Sequence, residues 1–459
     1  MRNTLSQAYR YSKGDFIRRL IAIALPIALQ NLMFSSRGLV DVLMLGQLGE
    51  ADVAAVGVAS RAMFVTTIML VGVNMGGALL TAQYWGAGDK KGVKESTALT
   101  WVIANSFALL TVVGFFFFSE PIMKLATDSE QVIQLGSEYI VITSFSMIAV
   151  ACISSMAVGL RAMHQPGVST FFSGIGILSN VFLNWVLIFG NLGMPALGIK
   201  GAAIATVLSG AIEVICVYSY IYSKKHLLAF GTKELANIFD TNKVRRFLKL
   251  SLPTTFNFFA WAAGIFSYHA LMGQTGVQGL AALSVMTPVD QISFSFLIGT
   301  SNAAAVLTGN SIGAKQYDAV YYQAIGLLVL SILVGIAISI LLYFAQGPIL
   351  SAFTALTPET RALADKFILI LCAGMIIRSV PITLVVGVLR AGGDVKYCLY
   401  QDLTTQWLIG IPLTAVAAIF MGAAAEVVYA MFLIEEAIKC FSCIQRLRSK
   451  KWIVNLIEK

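Results

Sequence analysis

Thr81-Ala-Gln-Tyr-Trp-Gly86-Ala87 returns as Thr308-Gly-Asn-Ser-Ile-Gly313-Ala314, 227 residues further along the chain. The same offset carries Arg18-Arg19 and Pro26 onto Arg245-Arg246 and Pro253. It also carries Gly46-x-x-Gly49 onto Gly273-x-x-Gly276. Long apolar runs separate these marks in both copies. A repeat of this kind predicts two similar helical halves that rock against each other around a central cavity, the layout of a carrier moving solutes through a bilayer.

The composition agrees. The chain has 459 residues, 58% of them hydrophobic and 12% charged, with a mean hydropathy of +0.80. An ordinary soluble domain is about 25% charged. Each helical span of a membrane needs roughly 20 apolar residues. Twelve such spans are predicted near 20–44, 52–80, 96–118, 135–158, 166–190, 200–222, 249–272, 279–307, 320–344, 363–388, 396–420 and 424–445. The runs are too long for the ten-residue alternating strands of a barrel. The expected fold is therefore an all-α polytopic membrane protein of two pseudo-symmetric six-helix lobes. The N-lobe covers 1–222, a linker 223–242, and the C-lobe 243–459 with a tail. The linker is polar, basic and long enough to let the halves move separately; the plainer reading is a connection whose length is merely tolerated.

The net charge of +9 sits in the short hydrophilic breaks and at both ends. That is the pattern of topology signals, not of a nucleic-acid surface. It predicts both termini in the cytoplasm. The basic residues of one side include Arg18, Arg19, Lys90, Lys91, Lys94, Lys243, Arg390 and the tail from Lys439. No cleavable signal peptide is apparent. Six scattered cysteines show neither metal spacing nor a disulfide framework. No phosphate loop, dinucleotide fingerprint or nucleophile motif occurs, so ATP is not expected as a partner and no cofactor is expected.

Asp41 is the first candidate for chemistry. It follows Pro26 by fifteen residues, about four turns, and lies well down the first span. An ionisable group there faces a cavity or pairs with another group. Such a carboxylate can exchange H⁺ or Na⁺ for a cationic substrate. The alternative is an Arg37–Asp41 pair at i,i+4 near the water interface. The counterpart of Asp41 at the repeat offset is Tyr268, so the acid belongs to the first half alone. Gln30, Asn31 and Ser35 share its span. Asn180 and Asn184 are four apart in the fifth span and share a face; their carbonyls suit Na⁺ and their amides suit a carboxylate. They equally suit helix-to-helix stitching.

Further intramembrane polar residues are Asp290 after Pro288, Arg378 near Pro381, Asp402 and Glu213. Asp290 and Arg378 are a possible pair at unknown distance. Glu213 has no partner evident from spacing. Phe34, Asn257 and Trp261 are candidate cavity residues, since an aromatic lining suits lipophilic organic cations. Glu435-Glu436-x-x-Lys439 reads as an ordinary ion network at a cytoplasmic helix end.

With these residues in place, the chain resembles the multidrug and toxic compound extrusion (MATE) transporters of prokaryotes over almost its whole length. The resemblance rests on Val40-Asp-Val-Leu-Met-Leu-Gly46, Leu48-Gly49, Ala82-Gln-Tyr-Trp-Gly-Ala-Gly-Asp89 and Leu178-Ser-Asn-Val-Phe-Leu-Asn-Trp-Val-Leu-Ile-Phe-Gly190. It continues in Leu197-Gly-Ile-Lys-Gly-Ala-Ala203, Gly387-Val-Leu-Arg-Ala-Gly-Gly-Asp394 and Trp407-Leu-Ile-Gly-Ile-Pro412. It implies two six-helix lobes forming a V. It implies alternating-access export of organic cations and amphipathic drugs in exchange for H⁺ or Na⁺. It implies a multi-pass protein of the cytoplasmic (inner) membrane, acting as a monomer among membrane lipids. Asp41 matches the family's first-helix acid and Asn180 a polar partner in the fifth helix. Asp41 and Asn180 would hold Na⁺ if Na⁺ drives transport. Asn184 stands where many prokaryotic members carry aspartate. The acids that NorM-type members carry in helices seven and ten are missing, and Ser379 stands near the second position. Outside antiport, the alternatives are a flippase for a lipid-linked precursor and a membrane enzyme or sensor.

Overall fold

The computed structural model describes residues 2–351 and 357–458, with side chains at all of these except 2–5, 35, 37–39, 42 and 50. Their secondary structure is helical. A short helix α1 (Arg2–Ser12) precedes α2 (Asp15–Leu45), α3 (Glu50–Gly86), α4 (Lys90–Lys124), α5 (Glu130–Ser144), α6 (Ser146–Ala162), α7 (Pro166–Phe189) and α8 (Gly198–Ser223). After α9 (Thr232–Asn237) come α10 (Thr241–Gly273), α11 (Val277–Gly313), α12 (Tyr317–Ser351) and α13 (Pro358–Ile382). The rest comprises α14 (Val395–Asp402), α15 (Ile411–Ala415), α16 (Ala425–Met431) and α17 (Ile434–Arg448). Three π-helical stretches, Thr383–Leu389, Leu403–Gly410 and Val416–Phe420, interrupt this last part.

All twelve expected spans fall on helices. Among the described residues, ten are long and apolar enough to cross a membrane by length and composition alone. Two expected spans fall outside that count for a visible reason. Helix α10 carries Asn257, Ser267, Tyr268 and His269 within its length. The α16–α17 pair carries Glu435, Glu436 and Lys439.

Local chemistry sets the helix ends. Asp89 caps α4 by accepting the Gly92 N–H at 2.8 Å. Pro166 opens α7, where a missing N–H costs nothing, and Gly190 closes it in the left-handed conformation. The repeat persists in backbone angles: Gly88 has φ +73°, and its counterpart Lys315 has φ +60°. A residue with a Cβ pays roughly 1–2 kcal/mol there, so the second copy keeps the turn against its own side chain's preference.

The chain forms two compact units: residues 1–28 with 256–459, and residues 29–255. We call these unit 1 and unit 2. The division departs from the expected one at the linker. It passes inside α2 and α10, two residues beyond Pro26 and two beyond Pro253. An internal proline removes one backbone hydrogen bond and loosens the helix locally, although α2 and α10 each continue past it as one helix. Leu20, Ile23 and Ile27 accordingly sit in the core of unit 1, with Leu307 and Leu384. The core of unit 2 gathers Leu45, Ala59, Phe115, Ile140 and Ile199.

The linker packs onto its neighbours. It lies within unit 2 and includes α9. Leu228 and Ile238 are fully buried. Leu228 fills the space over Gly159, where a Cβ would press within 2.7 Å of it. Phe230 meets the Trp101 ring at 5.8 Å, and its carbonyl accepts the Tyr222 hydroxyl at 2.7 Å. Lys94 Nζ reaches Glu234 Oε1 at 2.9 Å, and Lys243 Nζ reaches Glu95 Oε2 at 2.6 Å. The tail of unit 1 is docked too. Trp452 is fully buried, its indole N–H donates to Leu447 O at 3.1 Å, and the Val454 N–H donates to Gly392 O at 2.9 Å.

Lys94, with the Gly231 N–H, lowers the Glu234 carboxyl from an ordinary 4.5 to about 2. A depressed carboxyl stabilises the fold fully above its ordinary value and stops doing so as pH falls through the lowered one. The Lys94–Glu234 clip is thus intact above about 4.5 and is lost toward about 2. A partly exposed pair contributes about 0.5–1 kcal/mol. Glu234→Gln is expected to raise hydrogen exchange across 228–238 about two- to fivefold at neutral pH. The native linker should lose the same protection on acidification through that window. Equal protection in variant and native protein, at corrected intrinsic rates, would contradict this.

Candidate functional site

The buried face of α7 is polar. Ser169, Ser173, Gly176, Asn180 and Asn184 recur at helical spacing and are all buried. In a membrane span such a face needs partners inside the protein. Helices α2 and α8 supply them. Asn184 Nδ2 donates to Asp41 Oδ1 at 2.6 Å, a short bond to a carboxylate. The same amide makes a long contact of 3.4 Å to Asn180 Oδ1, and Asn180 Nδ2 lies 3.5 Å from Thr206 Oγ1 of α8. Asn180 and Asn184 are buried and Asp41 is half-buried. Asn184 Oδ1 is buried and receives no donor among the described residues. Three residues expected to act together, Asp41, Asn180 and Asn184, therefore do meet in unit 2. The side chains of Arg37 and Ser35 lie outside the described residues, and with them the alternative Arg37–Asp41 pair.

Other candidates of unit 2 divide. Gln30 is buried, and its amide donates to Ser173 Oγ at 2.8 Å. The Ser173 hydroxyl in turn donates to Glu213 Oε1 at 2.8 Å, which gives Glu213 a partner that spacing did not reveal. Asn31 is half-buried on the same helix, and Phe34 is 45% exposed. That exposure in a membrane helix makes Phe34 available to lipid or substrate.

Unit 1 holds its own candidates. Arg378 Nη1 and Asp290 Oδ1 are paired at 2.7 Å, so the possible pair is real. Asp402 lies in a larger network. Its Oδ2 accepts from Asn257 Nδ2 at 2.8 Å and faces Arg390 Nη2 at 3.2 Å. Its Oδ1 faces Lys439 Nζ at 3.2 Å. Lys439 also faces Glu435 Oε1 at 3.5 Å, and the Tyr268 hydroxyl donates to Glu435 Oε2 at 2.6 Å. Arg390 donates to Asn257 Oδ1 at 2.5 Å and lies 5.2 Å over the Phe258 ring. Trp261 is half-buried nearby on α10, its carbonyl 3.5 Å from Gln406 Nε2.

Burial adds to two expectations. Arg390 lies in the turn before α14 but is only 4% exposed, and the expected Glu435–Lys439 ion pair is present with each residue 4% exposed. Two cations face two carboxylates, so the network's formal charge is zero. Removing one partner of such a buried pair costs about 3–5 kcal/mol. π-helical stretches end just before Arg390 and begin just after Asp402. The wider turns let these side chains reach across unit 1. Sequence spacing offered one usable signal, the repeat offset that sets Tyr268 opposite Asp41. Among the described residues, no three His, Cys, Asp or Glu side chains group as a metal cage.

A family model, MatE, matches residues 26–186 and 253–416. The uncharacterized transporter YisQ of Bacillus subtilis is 26% identical over 444 residues, covering 95% of this chain and 94% of that one. The probable multidrug resistance protein NorM of Agrobacterium fabrum is 26% identical over 391 residues, 83% of each chain. Among solved structures, the Vibrio cholerae MATE transporter VcmN superposes with a TM-score of 0.87 at 17% identity over the full length of both chains. A MOP superfamily transporter of Pyrococcus furiosus gives 0.86 at 13% identity, over 97% of this chain and 98% of that one. At those identities the structural likeness shows the fold. The match of the family model to both repeats shows more: the chain is a multi-pass membrane protein that belongs to the MatE family of secondary transporters.

Proposed function

We propose that the chain exports lipophilic organic cations and amphipathic drugs in exchange for H⁺ or Na⁺, with Asp41 as the coupling carboxylate. The observation that carries this reading is the 2.6 Å bond from Asn184 to Asp41 on the buried face of α7. The amide gives the carboxylate a hydrogen-bond donor there. A proton neutralises it, or a sodium ion matches its charge. Turning the Asn184 amide would offer its carbonyl to that sodium ion, with Asn180 beside it. Either ion competes with a cationic substrate for one negative charge, and such competition is what links the two flows. The curated relatives described as probable multidrug resistance proteins support the substrate class.

The two repeats would supply the halves that alternate access, with both termini in the cytoplasm, where the basic breaks lie, and with the monomer as working unit. A flippase for a lipid-linked precursor draws less support. It needs cations held ready for phosphate, and Arg378 and Arg390 already face Asp290 and Asp402.

Purified protein in liposomes tests this. Accumulation of an ethidium-like cation under an imposed H⁺ gradient, then an imposed Na⁺ gradient, is expected to fall to background in Asp41→Asn. The variant should remain monodisperse. Asn184→Ala removes a donor that competes with the incoming proton, about 1.5–3 kcal/mol, so H⁺ should bind about ten- to a hundredfold more tightly in that variant. An Asp41→Asn protein that still accumulates the cation would sink the assignment.

A further inference from the structure

The end of unit 1 where α12 begins carries a belt of tyrosines and basic residues that the transport scheme leaves unused. Helix α1 lies against α12 there. Ala8 and Ser12 are buried, and a Cβ on Gly326 of α12 would run into the Ser12 side chain, so glycine lets the two helices approach. Beside that contact the Tyr11 and Tyr322 rings stack at 5.7 Å, within 6° of parallel. Tyr322 meets the Tyr321 ring edge-on at 5.4 Å. Lys450, in the turn after α17, sets its Nζ 4.4 Å over the Tyr321 ring. On α1 itself, Lys13 Nζ lies 5.7 Å over the Tyr9 ring. The belt thus draws on α1, α12 and the tail, all within unit 1.

Its outer face is open. Tyr9 is 71% exposed, and Arg10, Tyr11, Lys13 and Lys450 are exposed as well. It also stands beside apolar spans: the span of α12 starts at Tyr317, and that of α2 starts at Asp15, three residues after α1 ends. The charge is one-sided. Residues 6–19 carry four cations and one acid, and residues 448–451 carry three cations and no acid. That acid, Asp15, lies 3.9 Å from Arg19, and Glu458 of the tail pairs with Lys315 at 2.5 Å. Asp318, exposed in the first turn of α12, is the other acid of this end.

Basic residues at a span end serve as topology signals without any fixed geometry. Here two lysines are seated on rings, and the helix that carries Lys13 is packed onto α12. A tyrosine ring has an apolar body and a polar tip, which suits the boundary between acyl chains and headgroups. Basic side chains beside it attract anionic headgroups. A free phosphate would engage the cations and leave the exposed rings unused. A ligand that engages both is an amphiphile with an anionic head. We propose that α1, the start of α12 and the turn after α17 form a docking surface for anionic phospholipid. Lys13 and Lys450, with Arg10 beside them in charge, meet the headgroup phosphates, and the Tyr9 and Tyr11 rings lie against the upper acyl chains.

The test incubates the full chain in mild detergent with phosphatidylglycerol or with phosphatidylcholine of the same acyl chains. Native mass spectrometry then counts the lipids retained. A basic residue near a headgroup strengthens binding about fivefold, so two should give the native chain a ten- to thirtyfold preference, roughly, for phosphatidylglycerol. Lys13→Gln combined with Lys450→Gln should lose most of that preference, and Lys13→Arg combined with Lys450→Arg should keep it. Tyr321→Leu leaves every charge in place and should weaken retention by removing the seat of Lys450. Equal retention of the two lipids by the native chain, or an unchanged preference in the double glutamine variant, overturns the proposal. Displacement of the lipid by inorganic phosphate would mark a free-anion site, and displacement by polyglutamate a site for an acidic protein. Either of these overturns the assignment to lipid.

Discussion

The absence of water in the bilayer interior governs where every polar side chain of this protein can sit. Each must find its partner within the chain. The two units solve this differently. In unit 1, charge meets charge: Arg390 and Lys439 face Asp402 and Glu435, and Arg378 faces Asp290. In unit 2, the described donors to Asp41 and Glu213 are an amide and a hydroxyl. A matched buried pair is costly to break, so it favours one fixed arrangement. The charged network of unit 1 thus ties α10, α14 and α17 together through Asn257, Asp402 and Lys439.

The repeat has kept its backbone and changed its chemistry. Pro26 and Pro253 mark the same place in both first helices, and the boundary between units crosses each helix two residues later. Gly88 and Lys315 share a left-handed turn although only one is a glycine. At the position that matters most, the copies diverge. Asp41 accepts the Asn184 amide, while Tyr268 donates to Glu435. One scaffold thus carries a hydrogen-bond acceptor in one copy and a hydrogen-bond donor in the other.

Much of this was legible in the residues alone. Apolar runs of about 20 residues marked the helices, and the offset between repeats marked the two halves. Spacing placed Asn180 and Asn184 on one face, and depth along the helix singled out Asp41. What could not be read were meetings between distant parts of the chain. Arg390 opens the turn-like stretch Arg390-Ala-Gly-Gly-Asp394, and Lys439 follows two glutamates that read as an ordinary ion network at a helix end. Only the packing of α14 and α17, with the π-helical turns between, buries them together. The linker's basic composition likewise gave no sign that Leu228, Phe230 and Ile238 would be buried.

The most direct measurement is the affinity of an organic cation for the purified protein at stepped pH and stepped Na⁺, in native and Asp41→Asn forms. If Asp41 is the shared site, the native Kd weakens as the coupling ion rises, approaching tenfold per tenfold ion, and the variant is flat. A variant whose Kd still follows H⁺ or Na⁺ as the native protein does would contradict coupling through Asp41.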